Sequence, residues 1–278
     1  MGDRWLPGFS LEGGIRALST ESSVDSAQRG RFKNDARPVF AYIGGAIHLA
    51  TPVLYQPLAQ REGRESFAPE IRLFGRFGAA TSFDGRFRTV TEGSPGGLII
   101  PLLDNDGDGM ADAEPPVAAI IGQGSSTGST SEPLILSASF GADLAFDVRG
   151  RRLHIKPSLE WIRQEDEVVG VLGFAEAIDG DPIQCPCRTA FVRVSDREAF
   201  NGIGPGLEVE LEASRLQDFL MTFYVGAKAF YSLETEIVLN GSAPFSDASG
   251  IAEIRSTYER DRWDYQVSTG FRLHWLPE

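Results

Sequence analysis

The segment nearest the C-terminus alternates strictly between two kinds of side chain. Apolar residues and one threonine occupy every second position from Tyr265 to Trp275. The positions between them carry Gln266, Ser268, Gly270, Arg272 and His274. A period of two residues is typical of a β-strand with one apolar and one polar face, and it does not fit a helix. This pattern predicts an all-β chain.

The same alternation recurs along the rest of the chain, where helical periodicity is weak. It is found in seven further segments: 9–17, 39–49, 71–79, 134–148, 153–161, 207–213 and 221–231. Together with the C-terminal segment, these predict about eight antiparallel strands. Ten strands are the alternative if more come from 86–90, 98–103 or 117–122.

The connections between the predicted strands alternate between long and short. The long connections, predicted to be loops, are 19–37, 84–132, 164–202 and 235–262. The short ones are 149–152 and 215–219, and 52–68 is intermediate. Transmembrane β-barrels combine short periplasmic turns with long extracellular loops. We therefore predict a single closed antiparallel transmembrane β-barrel over 1–278, since closure removes the sheet edges that hydrocarbon cannot solvate.

The polar face of the strands carries charges of both signs, as expected if they pair inside a lumen. These residues are Glu12, Arg16, Arg72, Arg76, Asp143, Lys156, Glu160, Glu208, Glu210, Glu212, Lys228 and Arg272. An eight-stranded barrel is narrow enough to be filled by its own side chains. We therefore expect the charges to plug the lumen, with a narrow channel for small solutes or ions as the alternative.

A water-soluble β-barrel with an apolar ligand inside is a second alternative, because alternation alone fits both environments. It places Phe223 and Phe271 inside the cavity, whereas a membrane barrel places them against lipid. The alternation of long and short connections and the many small residues on the apolar face favour the membrane barrel. Aromatic girdles are expected from residues near strand ends: Phe9, Trp161, Phe219, Tyr231, Trp263 and Trp275. Pro157 predicts an irregularity within its strand.

The net charge of −13 argues against a nucleic-acid partner, because phosphate binding needs a cationic surface. No apolar run approaches the length of a membrane helix. The start Met1-Gly2-Asp3-Arg4-Trp5 lacks the apolar region of a signal peptide. An exported chain is therefore expected to be present here in its mature form.

An acidic motif runs from Asp104 to Asp112 within the longest predicted loop. Alternating oxygen ligands followed by a glycine suit a hard cation such as Ca²⁺. The expected ligands are Asp104, Asp106, Asp108 and Asp112. Pro115 stands where an EF-hand loop has its bidentate glutamate, so the motif resembles the Asp-rich repeats of thrombospondin type 3 more closely. A solvated acidic loop is the alternative.

Cys185 and Cys187 form a Cys-Pro-Cys motif, which is too sparse for a zinc site of usual spacing. A strained local disulfide in an oxidising compartment is one interpretation, and a redox or metal role is another. The three histidines, His48, His154 and His274, are predicted on the lumen face without a serine and an acid in recognisable order. We therefore expect no enzymatic activity.

The alternating segments and the ending Val267-Ser268-Thr269-Gly270-Phe271-Arg272-Leu273-His274-Trp275 resemble the OmpA/OmpX-type small outer-membrane β-barrels. The likeness is one of architecture over nearly the whole chain, and the ending looks like the C-terminal assembly signal of this class. The tail Leu276-Pro277-Glu278 departs from it, because that signal usually stops at the aromatic residue. The resemblance implies the outer membrane of a Gram-negative bacterium, the lipid bilayer as partner, and a structural or surface-interaction role.

Overall fold

The computed structural model describes residues 4–26, 30–37, 39–57, 68–83, 86–89, 123–148, 151–177, 187–216 and 218–276. These residues form thirteen strands: β1 (Leu6–Ala17), β2 (Thr20–Ser26), β3 (Gly30–Ala36), β4 (Val39–Ala50), β5 (Glu70–Ser82), β6 (Arg86–Thr89), β7 (Gln123–Val148), β8 (Arg151–Ala177), β9 (Cys187–Leu216), β10 (Phe219–Ser232), β11 (Glu236–Pro244), β12 (Ile251–Arg260) and β13 (Trp263–Trp275). Within these ranges, no helix is long and apolar enough to cross a membrane.

Eight strands form a ring in the order β5-β4-β1-β13-β10-β9-β8-β7, and β7 pairs back with β5. Every pair is antiparallel, including β1 with β13, where Gly8 lies opposite His274. These strands coincide with the eight predicted from alternation, so the predicted all-β antiparallel architecture is confirmed. β6 pairs with β7 but is not part of the ring. The segments 98–103 and 117–122 lie outside the described residues.

The ring has an apolar outer face and a polar inner face. Burial along β13 alternates at every residue, so that Phe271 is 55% exposed while its neighbour Arg272 is 3% exposed. Phe223 also points outward and contacts Phe271 edge-on. The soluble-barrel alternative is therefore wrong, because it required both phenylalanines in the cavity. Apolar side chains outside and charges inside describe a membrane-spanning barrel.

Aromatic pairs mark the two edges of the apolar outer band. Phe219 lies opposite Trp275 at the end of the ring that has the short turns, here named the turn end. Tyr231 lies opposite Trp263 at the other end, with ring centroids 5.4 Å apart. The two levels are twelve residues apart along β10 and along β13, which at the usual rise and tilt corresponds to about 28 Å, close to the height of a lipid-facing band.

Three of the long segments predicted as irregular loops are instead largely strand. β2 and β3 lie within 19–37, and β11 and β12 within 235–262. These four strands form a separate sheet in the order β11-β12-β2-β3. The segment 164–202 holds the continuations of β8 and β9, and even the serine- and glycine-rich stretch 124–131 belongs to β7. Ladder pairing satisfies the backbone here, which overrides the turn preference of glycine and serine.

The four-stranded sheet packs on the continuations of β8 and β9, and together they form a unit that we name the head. Its apolar interior consists of Val24, Val168, Leu172, Ala190, Val192, Phe200, Ile237, Leu239, Phe245, Ala252, Ile254 and Tyr258. The head is therefore a packed two-sheet structure with its own core. The head is continuous with the ring because β8 and β9 extend through both.

Pro157 interrupts the pairing of β7 with β8 without changing its register. Partners are formed on either side, at Gly141 with Ser158 and at Leu144 with Ile155. Register shifts occur elsewhere, between Met221 and Thr222 in the β9–β10 pair and between Ser131 and Ile135 in the β7–β8 pair. The missing proline N–H thus costs local ladder bonds but not a bulge.

Candidate functional site: the charged lumen and its closure

The lumen is filled by polar side chains that alternate inward from all eight ring strands. Eleven of the twelve charged residues predicted for this face are buried. They are Glu12, Arg16, Arg72, Arg76, Asp143, Lys156, Glu160, Glu208, Glu210, Lys228 and Arg272. The twelfth, Glu212, is half-buried at the turn end, 4.0 Å from His154. Period-2 geometry brings these residues together because alternate side chains of a closed ring share one narrow space.

Glu210 is the hub of the cluster nearest the turn end. Its carboxylate is completely buried and accepts hydrogen bonds from Lys156 and Arg272. His274 Nε2 lies 3.0 Å from its other oxygen. The His274 ring meets the His48 ring edge-on, with centroids 4.8 Å apart. Two cations and a ring nitrogen therefore surround one carboxylate that water cannot reach.

A second group of ion pairs lies beside Glu210 at the turn end. Asp143 is 2.8 Å from His154 Nδ1 and 3.8 Å from the Lys156 ammonium. On the next strand, Arg72 donates to Glu70 over 2.8 Å. These contacts extend the charge network to the mouth of the ring.

Arg76 organises the middle of the lumen. Its guanidinium lies 3.1 Å from Glu208, 3.4 Å from Glu160 and 3.9 Å from Glu12. Lys228 adds a second cation to Glu160 at 3.0 Å. Three carboxylates on β1, β8 and β9 thus converge on one arginine on β5.

A layer of buried apolar side chains lies inside the ring on the head side of this cluster. It consists of the buried side chains Leu18, Phe40, Tyr42, Ile135, Ile162 and Phe230. These side chains come from strands or strand ends around the ring, including β4, β7, β8 and β10.

A third polar cluster, here named the neck, joins the ring to the head. Arg16 lies 2.5 Å from Asp264 and donates to Gln164 over 2.6 Å. Arg260, the last residue of β12, lies 3.4 Å from Asp166 and 3.8 Å from Asp264. The Arg260 guanidinium also stacks over Phe200, 4.5 Å from the ring centroid. One buried arginine therefore links the end of β12 to β8, β9 and β13, in addition to the apolar core of the head.

Opposite charges nearly balance in this interior. Of the described residues, the buried carboxylates are Glu12, Glu70, Asp143, Glu160, Asp166, Glu208, Glu210 and Asp264. The buried arginines and lysines are Arg16, Arg72, Arg76, Lys156, Lys228, Arg260 and Arg272. Pairing of this extent offsets much of the desolvation cost, and loss of any one member leaves an uncompensated charge.

Sequence reasoning missed four members of this network: Glu70, Asp166, Arg260 and Asp264. Glu70 and Asp264 lie just beyond the ends of the alternating segments. Asp166 and Arg260 lie in segments predicted to be loops. A signal was present for Asp264, since the alternation of β13 extends back to it, two residues before Gln266.

The tip of the head has a constrained turn between β11 and β12. Ala248 adopts a left-handed conformation with φ 58°. Asp247 accepts hydrogen bonds from the Ser249 hydroxyl and the Ser249 backbone N–H, which lower the pKa of this exposed carboxyl. Arg188 donates to Ser249 over 3.1 Å and covers the Phe245 ring. Side-chain contacts therefore hold a turn that an alanine does not favour.

Asp104, Asp106, Asp108 and Asp112 lie outside the described residues, as does Cys185. Cys187 begins β9, but its side chain is outside the described part. Among the residues that the structure describes, no group of three or more His, Cys, Asp or Glu is arranged to hold a metal ion.

No protein-family model matches the chain, and no curated protein matches it. A major outer membrane protein from Thermus thermophilus is similar in structure, with 11% identity, a TM-score of 0.32, and coverage of 94% of this chain and 99% of the other. Ail, the attachment invasion locus protein of Yersinia pestis, has 9% identity, a TM-score of 0.25, and coverage of 94% and 97%. The outer membrane protease OmpT from Escherichia coli has 9% identity, a TM-score of 0.21, and coverage of 97% of each chain. The membrane-spanning character of the present chain follows from its own exposed apolar face.

Proposed function

We propose that this chain is a bacterial outer-membrane β-barrel with a structural or surface-interaction role, and that it is not an enzyme. In this proposal the ring anchors the head at the cell surface, and the turn end faces the periplasm. The observation that carries it is the series of buried ion pairs inside the ring, from the Glu70–Arg72 pair through Glu210 and Arg76 to the neck. A barrel whose lumen is occupied along its length has a structural role, which here is to anchor the head in the membrane.

Three successive barriers support a plugged lumen over a narrow channel. An ion crossing the ring would have to displace the Glu210 cluster, then the Arg76 cluster, and then the apolar layer beneath the neck. Each charged member is paired with an opposite charge on another strand, so moving one side chain leaves a buried charge without a partner. Several kcal/mol oppose each such step, by the general cost of breaking buried pairs.

The surroundings of the histidines support a non-enzymatic role. His154 and His274 bond to carboxylates, Asp143 and Glu210, rather than to a hydroxyl that could act as a nucleophile. Ser158, on the same strand as His154, donates its hydroxyl to Glu160. The histidines are thus engaged in contacts with buried carboxylates, which supports a non-enzymatic role.

We also propose that Asp104, Asp106, Asp108 and Asp112 bind Ca²⁺ in the segment between β6 and β7. The support is the Asp-x-Asp-x-Asp-Gly pattern of residues 104–109, whose oxygen ligands suit a hard cation. Added Ca²⁺ is expected to protect the segment 90–122 from proteolysis, and chelation to remove that protection while the barrel stays folded. A combined change of the four aspartates to asparagine is the control, and equal cleavage of the unchanged chain with and without Ca²⁺ contradicts the site.

Lipid accessibility tests the orientation of the two faces. In a Cys185→Ser, Cys187→Ser background, Phe271→Cys is expected to react with a lipid-soluble thiol reagent in vesicles. Thr222→Cys, on a residue that is completely buried inside the ring, is the matched control and should stay unreactive. The opposite pattern, or a chain that remains monomeric and soluble without detergent, would overturn the membrane assignment.

Planar bilayer recordings test the plug. The folded protein is expected to insert without opening a conducting path. Steady single-channel conductance from folded protein would replace the structural role with that of a narrow channel for small solutes or ions.

A further inference from the structure

The lipid-facing wall of the ring contains a groove of about 710 Å³ near the turn end. Apolar side chains from β4, β5 and β7 line it, together with one that precedes β1. They are Trp5, Ile47, Leu49, Leu73, Phe77 and Phe140. His48, Arg76 and Ser139 also border the cavity, but they are buried, with their side chains inside the ring. The outward-pointing side chains that line it are all uncharged, so the groove opens on the surface that contacts lipid.

Gly75 creates the groove. It lies at an outward-facing position of β5, between Leu49 on β4 and Phe140 on β7. Larger side chains thus stand on both sides of a position that has none. A Cβ added to Gly75 would meet no atom within 4 Å. The floor of the groove is therefore bare backbone, in a band whose other positions mostly carry side chains.

Gly75 has free space for a Cβ atom, unlike glycines at positions where close packing leaves no room for one. At Gly78, three residues along the same strand, an added Cβ would lie 3.0 Å from Ala46 and from Ser137 inside the ring. Close packing explains a glycine at that position. No such contact explains the glycine at 75, where an alanine or leucine would fit the strand. The empty space itself is the feature that needs an occupant.

The environment restricts what that occupant can be. The wall faces hydrocarbon, so an unfilled apolar groove would be filled by whatever is most abundant there, namely acyl chains. Stable contact between protein surfaces generally buries about 800 Å² on each side and includes hydrogen bonds. The outward side chains of this groove offer none. A flexible saturated chain fits a groove between Leu49 and Phe140, since dispersion contacts require only close approach.

The position of Trp5 indicates which end of the groove lies at the level of the lipid headgroups. It lies at the rim of the groove and is 54% exposed at the turn end. Tryptophan is enriched at the level of the lipid headgroups, with its ring toward the hydrocarbon and its N–H toward water. The groove therefore leads from the interface into the bilayer, in the direction that an acyl chain takes from its headgroup.

We propose that the groove over Gly75 is a binding site for one acyl chain of a phospholipid in the leaflet at the turn end. This inference rests on the membrane-spanning fold but not on the role of the head or on the plug. The site holds the chain between Leu49 and Phe140 and makes that lipid exchange more slowly than its neighbours around the barrel.

Photo-cross-linking in vesicles tests the site. The full chain is reconstituted with a phosphatidylethanolamine that carries a diazirine in the middle of one acyl chain, irradiated, digested and mapped by mass spectrometry. Adducts are expected to concentrate on residues 47–49, 73–77 and 140. Gly75→Leu, which fills the groove, should lower them about tenfold, the factor that corresponds to roughly 1.4 kcal/mol of lost binding.

Gly13→Leu is the matched control. Gly13 also points outward, on β1, and an added Cβ there would meet only the Tyr42 carbonyl oxygen, at 3.7 Å. This change adds the same side chain to the lipid-facing wall away from the groove, so the adduct pattern should not change. If Gly75→Leu fails to fold, as judged by circular dichroism, Phe140→Ala removes one wall of the groove and should lower the same adducts.

Two results would overturn the proposal. One is an adduct pattern spread evenly around the outer face, or one that Gly75→Leu leaves unchanged. The other is a stable dimer in vesicles that Gly75→Leu dissociates, which would make a second copy of the chain the occupant.

Discussion

Arg76 on β5 donates a hydrogen bond of 3.1 Å to Glu208 on β9, three strands away around the ring. Two residues that are far apart in sequence therefore meet across the lumen. Arg76 also faces Glu160 and Glu12, so this one side chain neutralises much of the acidic charge at mid-height.

Replacing Arg76 should destabilise the barrel strongly. Arg76→Met is expected to lower the free energy of unfolding by about 3–5 kcal/mol, because it leaves buried carboxylates unpaired. Denaturant unfolding in vesicles measures the change. Arg163→Met is the control, since Arg163 pairs with Glu165 through side chains that are 44% and 50% exposed, and about 1 kcal/mol or less is expected there. Equal effects of the two changes would contradict a closed charge network.

The apolar layer should also be essential for closure. Phe230 is 1% exposed within it, and Phe230→Ala is expected to cost about 3–5 kcal/mol by leaving a cavity. The same truncation on the outer face, Phe223→Ala, should cost about 1 kcal/mol at most, because lipid fills the space. Thermal unfolding in detergent compares the two variants. A larger loss at Phe223 than at Phe230 would mean that the layer is not packed as described.

The neck predicts a local effect on the head. Arg260→Met removes the contacts to Asp166 and Asp264, so the segment 235–260 should become more sensitive to protease while the ring remains folded. Limited proteolysis with mass spectrometry gives the cleavage sites. Arg262→Met, two residues away, removes an exposed hydrogen bond of 2.8 Å to the Tyr231 hydroxyl and a cation–π contact of 6.0 Å with the same ring. It should leave the cleavage pattern unchanged.

Relief of backbone strain should stabilise the tip. Ala248→Gly is expected to raise the free energy of unfolding of the head by about 0.5–1 kcal/mol, since glycine adopts φ of +58° without the penalty that alanine meets. Ala243→Gly, in the extended strand β11, should have the opposite sign. Hydrogen exchange of the head amides follows both, and a loss of protection in Ala248→Gly would contradict the strain.

Alternation in the sequence was sufficient to locate the ring strands, because a strand between lipid and a polar lumen leaves no freedom in its pattern. It also assigned the lumen side of residues such as Arg72 and Lys228. Alternation could not reveal which charges meet. The contact of Arg76 with Glu208 depends on the register and the curvature of several strands, and neither quantity is encoded within one segment.

The head was misassigned for a different physical reason. Its strands lie between water and a small core, so their inward positions accept serine and glycine as readily as valine. Ser22 and Ser256 are buried in the sheet that contains Val24. The apolar side of such a strand is too weakly marked to be distinguished from a loop.

The ring closes between its first and last strands, where Gly8 lies opposite His274. Every other pair in the ring joins two ring strands that are successive along the sequence, so each of these pairs closes a shorter loop. The closing pair brings together the most distant parts of the sequence, and its loop-closure entropy is the largest in the molecule. Until β13 arrives, β1 and β10 each present an unpaired edge, and the buried charge network lacks Asp264 and Arg272. Assembly should therefore be completed in one late, cooperative step in which edge pairing and charge neutralisation occur together.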